Sequence, residues 1–153
     1  DRLLAEEAVA ALRSELGPLA DMITPNLPEA AVLLDVAEAT GRDEMEATAT
    51  RLQALGCGSA LLKGGHLSGD DSPDLLVTAT QREWFEGVRL QTRNTHGTGC
   101  TLSSALAAQL ALTGDAFAAV RGAKAYVAGA IGAADRLGVG SGHGPTHHFH
   151  RHW

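Results

Sequence analysis

Two glycines one residue apart, Gly97 and Gly99, stand directly ahead of an alanine-rich run in the stretch Asn94-Thr95-His96-Gly97-Thr98-Gly99-Cys100-Thr101-Leu102-Ser103-Ser104-Ala105. No other junction constrains the chain as much. Glycine lets the backbone turn sharply and a ligand come close, and the run behind it predicts a helix over 101–112. The first N–H groups of such a helix have no intrahelical partner, and its dipole favours an anion there. The pattern is neither a Walker A loop nor the longer dinucleotide glycine pattern. From spacing alone it is an anion site or an ordinary glycine-containing connection between strand and helix. Cys100, where the helix begins, is a base or nucleophile in the field of that helix, or a small buried apolar residue. Cys57 follows a helix-ending glycine and reads as packing.

Strand and helix periodicities alternate ahead of this junction. Leu3, Leu4, Ala8, Ala11, Leu12 and Leu16 recur at helical spacing until Gly17-Pro18. Asp21 to Thr24 is a short strand ended by Pro25, and Asn26 is placed to cap a helix over 27–34. A third helix fits 43–55, with Met45, Ala49, Leu52 and Leu55 on one face and Gly56 just past its end. Ser59 to Lys63 reads as a buried strand broken by Gly64-Gly65, and 70–74 as a loop. Residues 75–78 and 83–90 make a hairpin whose turn lacks glycine. After the 101–112 helix, Gly114 and Asp115 end one helix and cap another, running to about Leu137. Phe117, Val120, Lys124, Val127 and Ile131 lie along one of its faces. Gly122, Gly129 and Gly132 within it predict the close approach of another element. This order indicates an α/β layered fold, with residues 1–153 forming one domain or part of one.

A length of 153 residues allows a sizeable core. With only 4% aromatic residues, that core must come from leucine, valine and alanine. The net charge of −6 argues against nucleic acid as the main partner, since backbone phosphates require a positive footprint. No apolar run reaches the roughly 18 residues of a membrane span. Two cysteines are too few for a disulfide framework, and a cytoplasmic setting is the simplest expectation.

Three further groups carry chemistry or a plain structural reading. In Asn26-Leu27-Pro28-Glu29, Asn26 and Glu29 complete a capping box, or Glu29 helps position a hydrated Mg²⁺, which takes only one or two protein carboxylates. Lys63 ends the most apolar strand, at the edge where α/β sheets bind ligands; it neutralises phosphate there, with the following glycines clearing space, or is a solvated lysine entering a turn. The histidine-rich tail Gly142 to Trp153 lacks acidic or thiol partners nearby in sequence and reads as a packed terminal segment rather than a metal site.

Taken together, Thr24-Pro25-Asn26-Leu27-Pro28-Glu29-Ala30, Lys63-Gly64-Gly65-His66, Asn94 to Thr101 and Gly144-Pro145-Thr146-His147-His148-Phe149 resemble the bacterial hydroxymethylpyrimidine/phosphomethylpyrimidine kinases of the ribokinase-like superfamily. The resemblance runs along essentially the whole chain, and the Cys100 motif is its most specific part. It implies a ribokinase-like layered α/β/α fold, here incomplete, with the N-terminal part of the central sheet absent and 1–153 forming the C-terminal part of a single kinase domain. It implies ATP and Mg²⁺ as cofactors, and two successive γ-phosphoryl transfers, first to 4-amino-5-hydroxymethyl-2-methylpyrimidine and then to its monophosphate. Under this resemblance the amides from Gly97 through Thr98 and Gly99 to Cys100 surround the transferring phosphoryl group, and the Cys100 thiolate accepts the hydroxyl proton. Lys63 offsets phosphate charge, Asn94, Thr95 and His96 belong to the nucleotide side, and Asn26 and Glu29 act through Mg²⁺ and its waters. The partner is then a small molecule, with neither nucleic acid nor membrane involved, and a homodimer is possible. The chain alone is expected to turn over poorly. Pyridoxal kinase of the same superfamily is the enzymatic alternative, and a non-catalytic anion-binding or assembly piece is the alternative from another class.

Overall fold

The computed structural model describes residues 6–152, which divide into two compact units, 6–89 and 90–152. Leu3 and Leu4 of the first expected helix lie outside the described residues.

In the first unit α1 (Glu6–Ala11) passes into a wider π-type turn, Leu12–Leu16, and a 3₁₀ turn, Gly17–Leu19. The expected single helix is therefore α-helical only to Ala11. Pro18 then removes an amide donor, as anticipated for the stop. The helix α2 (Leu27–Leu34) has the bounds read from the sequence, and α3 (Arg42–Gln53) begins one residue earlier than expected. The strands β1 (Ser59–Lys63), β2 (Asp74–Thr78) and β3 (Arg82–Phe85) form an antiparallel sheet in the order β1-β2-β3, with Lys63 opposite Asp74 and Leu75 opposite Trp84. Asp74 thus opens a strand instead of closing a loop.

The turn between β2 and β3 needs no glycine because Thr78 closes it. Its Oγ1 accepts from the amides of Thr80 at 3.3 Å and Gln81 at 3.0 Å. Contrary to the expected strand to Leu90, β3 stops at Phe85. The chain resumes pairing as Val88 bridges Asp71, and Ser72 N–H donates to Gly87 O.

The segment expected as a strand at 21–24 is extended but forms only isolated parallel bridges to β1, at Ile23 with Ala60 and Asn26 with Lys63. The carbonyls of Ile23 and Pro25 accept from the amides of Leu61 and Lys63, at 2.9 and 3.0 Å. Pro25 has no N–H to return, so the ladder stays open there. The α2 and α3 helices cover one sheet face. Leu27, Ala30, Met45, Ala49, Leu52, Ala60, Leu62 and Leu75 are each no more than 1% exposed in that core.

In the second unit α4 (Thr98–Thr113) and α5 (Ala116–Gly132) form a helical hairpin. Gly114, at φ 65°, ends α4, and Asp115 caps α5 by accepting from the Ala118 amide at 2.6 Å. The buried stripe of α5 is Ala119, Val120, Ala123, Val127 and Ala130, displaced from the face expected from its larger residues. Beside that stripe neighbours come close at two of the glycines, as expected. A β-carbon on Gly122 would lie 2.8 Å from Gln109 Oε1 of α4, and one on Gly129 would strike the His150 ring. The helix ends at Gly132, short of Leu137, and a 3₁₀ turn follows, Ala134–Arg136.

The tail folds back along α5. His147 N–H donates to Ala130 O, Tyr126 Oη donates to His148 O at 2.8 Å, and Thr146 and His147 are buried. Among the described residues no helix is long and apolar enough to cross a membrane.

Candidate active site

The residues singled out by sequence fall into two groups, one in each unit. In the first unit the parallel pairing of 23–26 with β1 brings the ends of both segments together, so Asn26 and Lys63 are backbone neighbours. Asn26 caps α2, with its Oδ1 accepting from Glu29 N–H at 2.8 Å and its own amide donating to Glu29 Oε2 at 2.7 Å. The capping box is therefore real. It engages one carboxylate oxygen of an exposed side chain and leaves Oε1 uncommitted among the described residues. Lys63 Nζ stands 4.0 Å from the same Oε2, with the lysine side chain only 19% exposed and that of Glu29 57%. One free carboxylate oxygen suits an ion that keeps its own water shell, as Mg²⁺ does. No cluster of three or more His, Cys, Asp or Glu ligands occurs among the described residues.

The first glycine after Lys63 does a different job from the one expected. Gly64 is buried, its N–H donates to Asp74 Oδ1 at 3.0 Å, and a β-carbon on it would overlap the Pro73 carbonyl. Gly64 thus serves the packing of the loop against the strand end and does not clear room for a ligand. Gly65 is more open, with Ser72 Oγ 3.4 Å from a notional β-carbon.

In the second unit Gly97 adopts φ 82°, a left-handed conformation that L side chains rarely take. That turn starts α4 three residues earlier than the sequence suggested, so Thr98, Gly99 and Cys100 form its first turn. Thr98 N–H and Oγ1 both donate to Thr95 O, at 3.2 and 2.7 Å, and Thr101 N–H and Oγ1 both donate to Gly97 O. The amides of Gly99 and Cys100 are left without an acceptor among the described residues. Cys100 is exposed, which removes the buried-packing reading for it; Cys57 is buried, its thiol is pushed above the ordinary range by desolvation, and it faces Leu52 O at 3.6 Å.

Backbone and amide contacts fix the approach to this helix. His96 pairs with the 144–146 segment through its N–H to Gly144 O and its carbonyl to Thr146 N–H, while its side chain is exposed. Asn94 is engaged at both ends of its amide, accepting from Gly144 N–H at 2.9 Å and donating to Asp135 Oδ1 at 2.8 Å. From Cys100 an open groove runs between α4 and α5, lined among others by Thr101, Ser104, Gly122, Tyr126 and Arg151.

Sequence reading missed several contacts that shape these places. The motif residues Thr101 and Thr146 meet in a buried contact, Oγ1 to Oγ1 at 3.3 Å, while Asp135, which holds Asn94, and Asp74, which holds Gly64, were not singled out. Arg89 organises the loop after Lys63. The one available signal for it was a ten-residue, glycine-rich loop with a single apolar residue, Leu67.

The family described as phosphomethylpyrimidine kinase matches residues 1–147. The chain belongs to that family. It is 50% identical over all 153 residues to the hydroxymethylpyrimidine/phosphomethylpyrimidine kinase of Escherichia coli, of which it covers 58%. It therefore spans little more than half the length of that relative. Among solved structures it is similar to the Bacillus subtilis pyridoxal kinase in an ADP complex, at a TM-score of 0.89 and 34% identity over 98% of this chain and 56% of that one. It is also similar to the phosphomethylpyrimidine kinase of Clostridium difficile, at 0.71 and 35% over 86% and 52%. The fold is accordingly ribokinase-like α/β, and its three-stranded sheet is an incomplete version of it.

Proposed function

We propose that this chain carries the nucleotide and catalytic side of a cytoplasmic kinase that phosphorylates 4-amino-5-hydroxymethyl-2-methylpyrimidine and then its monophosphate, using ATP with Mg²⁺. The observation that carries the reading is the start of α4, where a left-handed Gly97 leaves the Gly99 and Cys100 amides free beside an exposed thiol. Free amides at the positive end of a 16-residue helix are preorganised donors for the equatorial oxygens of a transferring phosphoryl group. The Cys100 thiolate takes the proton of the hydroxymethyl group. That oxygen bonds to the γ-phosphorus as the bond to the β–γ bridging oxygen breaks, and ADP leaves. Lys63 offsets phosphate charge from the end of β1. Glu29, and Asn26 through its hold on Glu29, would keep hydrated Mg²⁺ in place, and the ion would neutralise charge on the phosphates. Residues 1–153 are in this reading part of one ribokinase-like domain.

Pyridoxal phosphorylation is the second reading, because the pyridoxal kinase of B. subtilis matches with a TM-score of 0.89. The 50% identity to the pyrimidine kinase of E. coli favours the first.

The test is a chimera in which the chain is joined to the remaining length of its E. coli relative. ATP-dependent phosphorylation of the pyrimidine alcohol and of pyridoxal is compared in the wild type and Cys100→Ala. A drop in turnover of about 100-fold or more with nucleotide binding retained is expected for loss of a general base. Near-normal turnover would make Cys100 a bystander, and pyridoxal turnover alone would move the assignment. The 153-residue chain by itself is expected to turn over poorly; vigorous activity without the added segment would refute that.

A further inference from the structure

Arg89 places its guanidinium at the centre of the loop that follows Lys63. Its Nε donates to Gly69 O at 3.0 Å, one terminal nitrogen to Gly65 O at 2.8 Å, and the other to Leu67 O at 2.7 Å and Asp71 O at 3.3 Å. Four carbonyls on alternate residues thus converge on one planar cation. Its backbone adds a fifth tie, the Arg89 amide to Asp70 O at 2.7 Å.

The loop needs such a centre. Between Lys63 and Asp74 it runs Gly-Gly-His-Leu-Ser-Gly-Asp-Asp-Ser-Pro, and a segment of that composition has little apolar surface to bury and much backbone freedom to lose. Its ends are tied by the Asp74 carboxylate on Gly64 N–H on one side and the Ser72–Gly87 and Asp71–Val88 pairing on the other, and Leu67 packs against the core with its N–H on Gly64 O at 2.9 Å. Across Gly65 to Asp71 the guanidinium is the group that ties the carbonyls of four residues to one point. Lysine could not replace it, since one ammonium cannot reach four acceptors spread around a plane.

We infer that Arg89 is a positioning residue for Lys63: by gathering the carbonyls of Gly65, Leu67, Gly69 and Asp71 it fixes the loop leaving β1, and with it the direction from which the Lys63 ammonium meets the nucleotide phosphates. This rests on the phosphate role proposed for Lys63. The side-chain donors of Arg89 in use go to the loop.

The experiment is a double-mutant cycle on MgATP affinity, measured by titration calorimetry in the chimera with Lys63→Ala, Arg89→Gln and the pair. Thermal unfolding of each protein shows that it is folded, and Arg89→Lys serves as a milder variant should Arg89→Gln fail to fold. Arg89→Gln or Arg89→Lys is expected to weaken MgATP about tenfold when Lys63 is present, and to add almost nothing once Lys63 is alanine, as coupled residues do. In the same variants thermolysin should cut the folded 153-residue chain faster at Leu67. Unchanged affinity in the Arg89 variants, or losses that simply add to that of Lys63→Ala, overturns the inference while leaving Lys63 in its role. No loss on Lys63→Ala overturns the role of Lys63, and the inference with it.

Discussion

Gly64→Ala offers a test of how the strand end is built, because both of its consequences follow from distances. The added methyl would overlap the Pro73 carbonyl and lie 3.2 Å from Met45 Cε. The methionine tip can swing away at small cost, but Pro73 is backbone and is followed at once by Asp74, paired with Lys63 across the sheet. Overpacking of this kind costs about 1–3 kcal/mol. If the strain is relieved by moving Pro73, the bond from Gly64 N–H to the buried Asp74 carboxylate lengthens as well, at a further cost of about 1–3 kcal/mol. The expected loss is about 3 kcal/mol, a large share of the stability of a domain of ordinary size. At about 2–4 °C per kcal/mol for a chain of this length, the midpoint should fall by about 6–12 °C. Gly65→Ala is the matched control, since its methyl would meet only Ser72 Oγ at 3.4 Å. It should stay within about 0.5 kcal/mol of wild type, as surface substitutions usually do. Urea unfolding followed by far-ultraviolet circular dichroism reads both. A Gly64→Ala loss no larger than that of Gly65→Ala would refute the claim that the first glycine is a packing requirement.

Three other outcomes follow from local contacts. Iodoacetamide at neutral pH should modify exposed Cys100 in the folded chain and leave buried Cys57 untouched until denaturant is added; equal labelling of both under native conditions would contradict their placement. Glu29→Gln retains an oxygen able to accept from the Asn26 amide, so it should cost only a few tenths of a kcal/mol, whereas Glu29→Ala should cost about 1 kcal/mol from the cap. In the chimera Glu29→Gln should nevertheless raise the Mg²⁺ concentration needed for half-maximal turnover, and an unchanged Mg²⁺ response would leave Glu29 as a cap alone. Glu44, whose carboxylate accepts from the Thr40 amide at 2.6 Å and from its hydroxyl at 2.9 Å, is held below the usual glutamate range first by the amide and then by the hydroxyl. Its folded pKa lies below the unfolded one, so its contribution is present above the ordinary value of 4.5 and is lost as pH falls through the folded value. The wild-type midpoint should therefore converge on that of Glu44→Gln as pH drops from 6 to 3, and a constant gap would refute the assignment.

Where a signal is local, the sequence carried it. The asparagine cap and its glutamate three residues on gave α2 to the residue, because both halves of a capping box are written within four positions. Gly114-Asp115 marked the end of one helix and the start of the next for the same reason. The start of α4 was misplaced by three residues because threonine, glycine and cysteine are weak helix formers, and the signal that overrides them is the left-handed turn at Gly97. The inward face of α5 was legible in part: Val120 and Val127 are buried, and Gly122 and Gly129 meet close neighbours as their glycines suggested, but Ala119, Ala123 and Ala130 complete the stripe while Phe117, Lys124 and Ile131 stay half-buried. The β2–β3 turn showed no glycine because a threonine hydroxyl satisfied its amides instead.

The candidate site divides along the same line. Motif residues were legible as a set because each sits where a regular element begins or ends, and those are the places where backbone donors and acceptors lie open. What holds the motifs in place was not legible, because it acts across sequence distance: Asp135 on Asn94, 41 residues away, Thr146 on Thr101, 45 away, and Arg89 on Gly65, 24 away. Thr146 lies in a motif, but Asp135 and Arg89 belong to no recognisable pattern, since a carbonyl or an amide can be met by any donor or acceptor the fold delivers there. Substitutions at the supporting positions should therefore alter affinity and stability through the motif residues they hold. The chemistry should respond most sharply where motif and support meet, at Lys63 with its loop and at Cys100 with the turn before it.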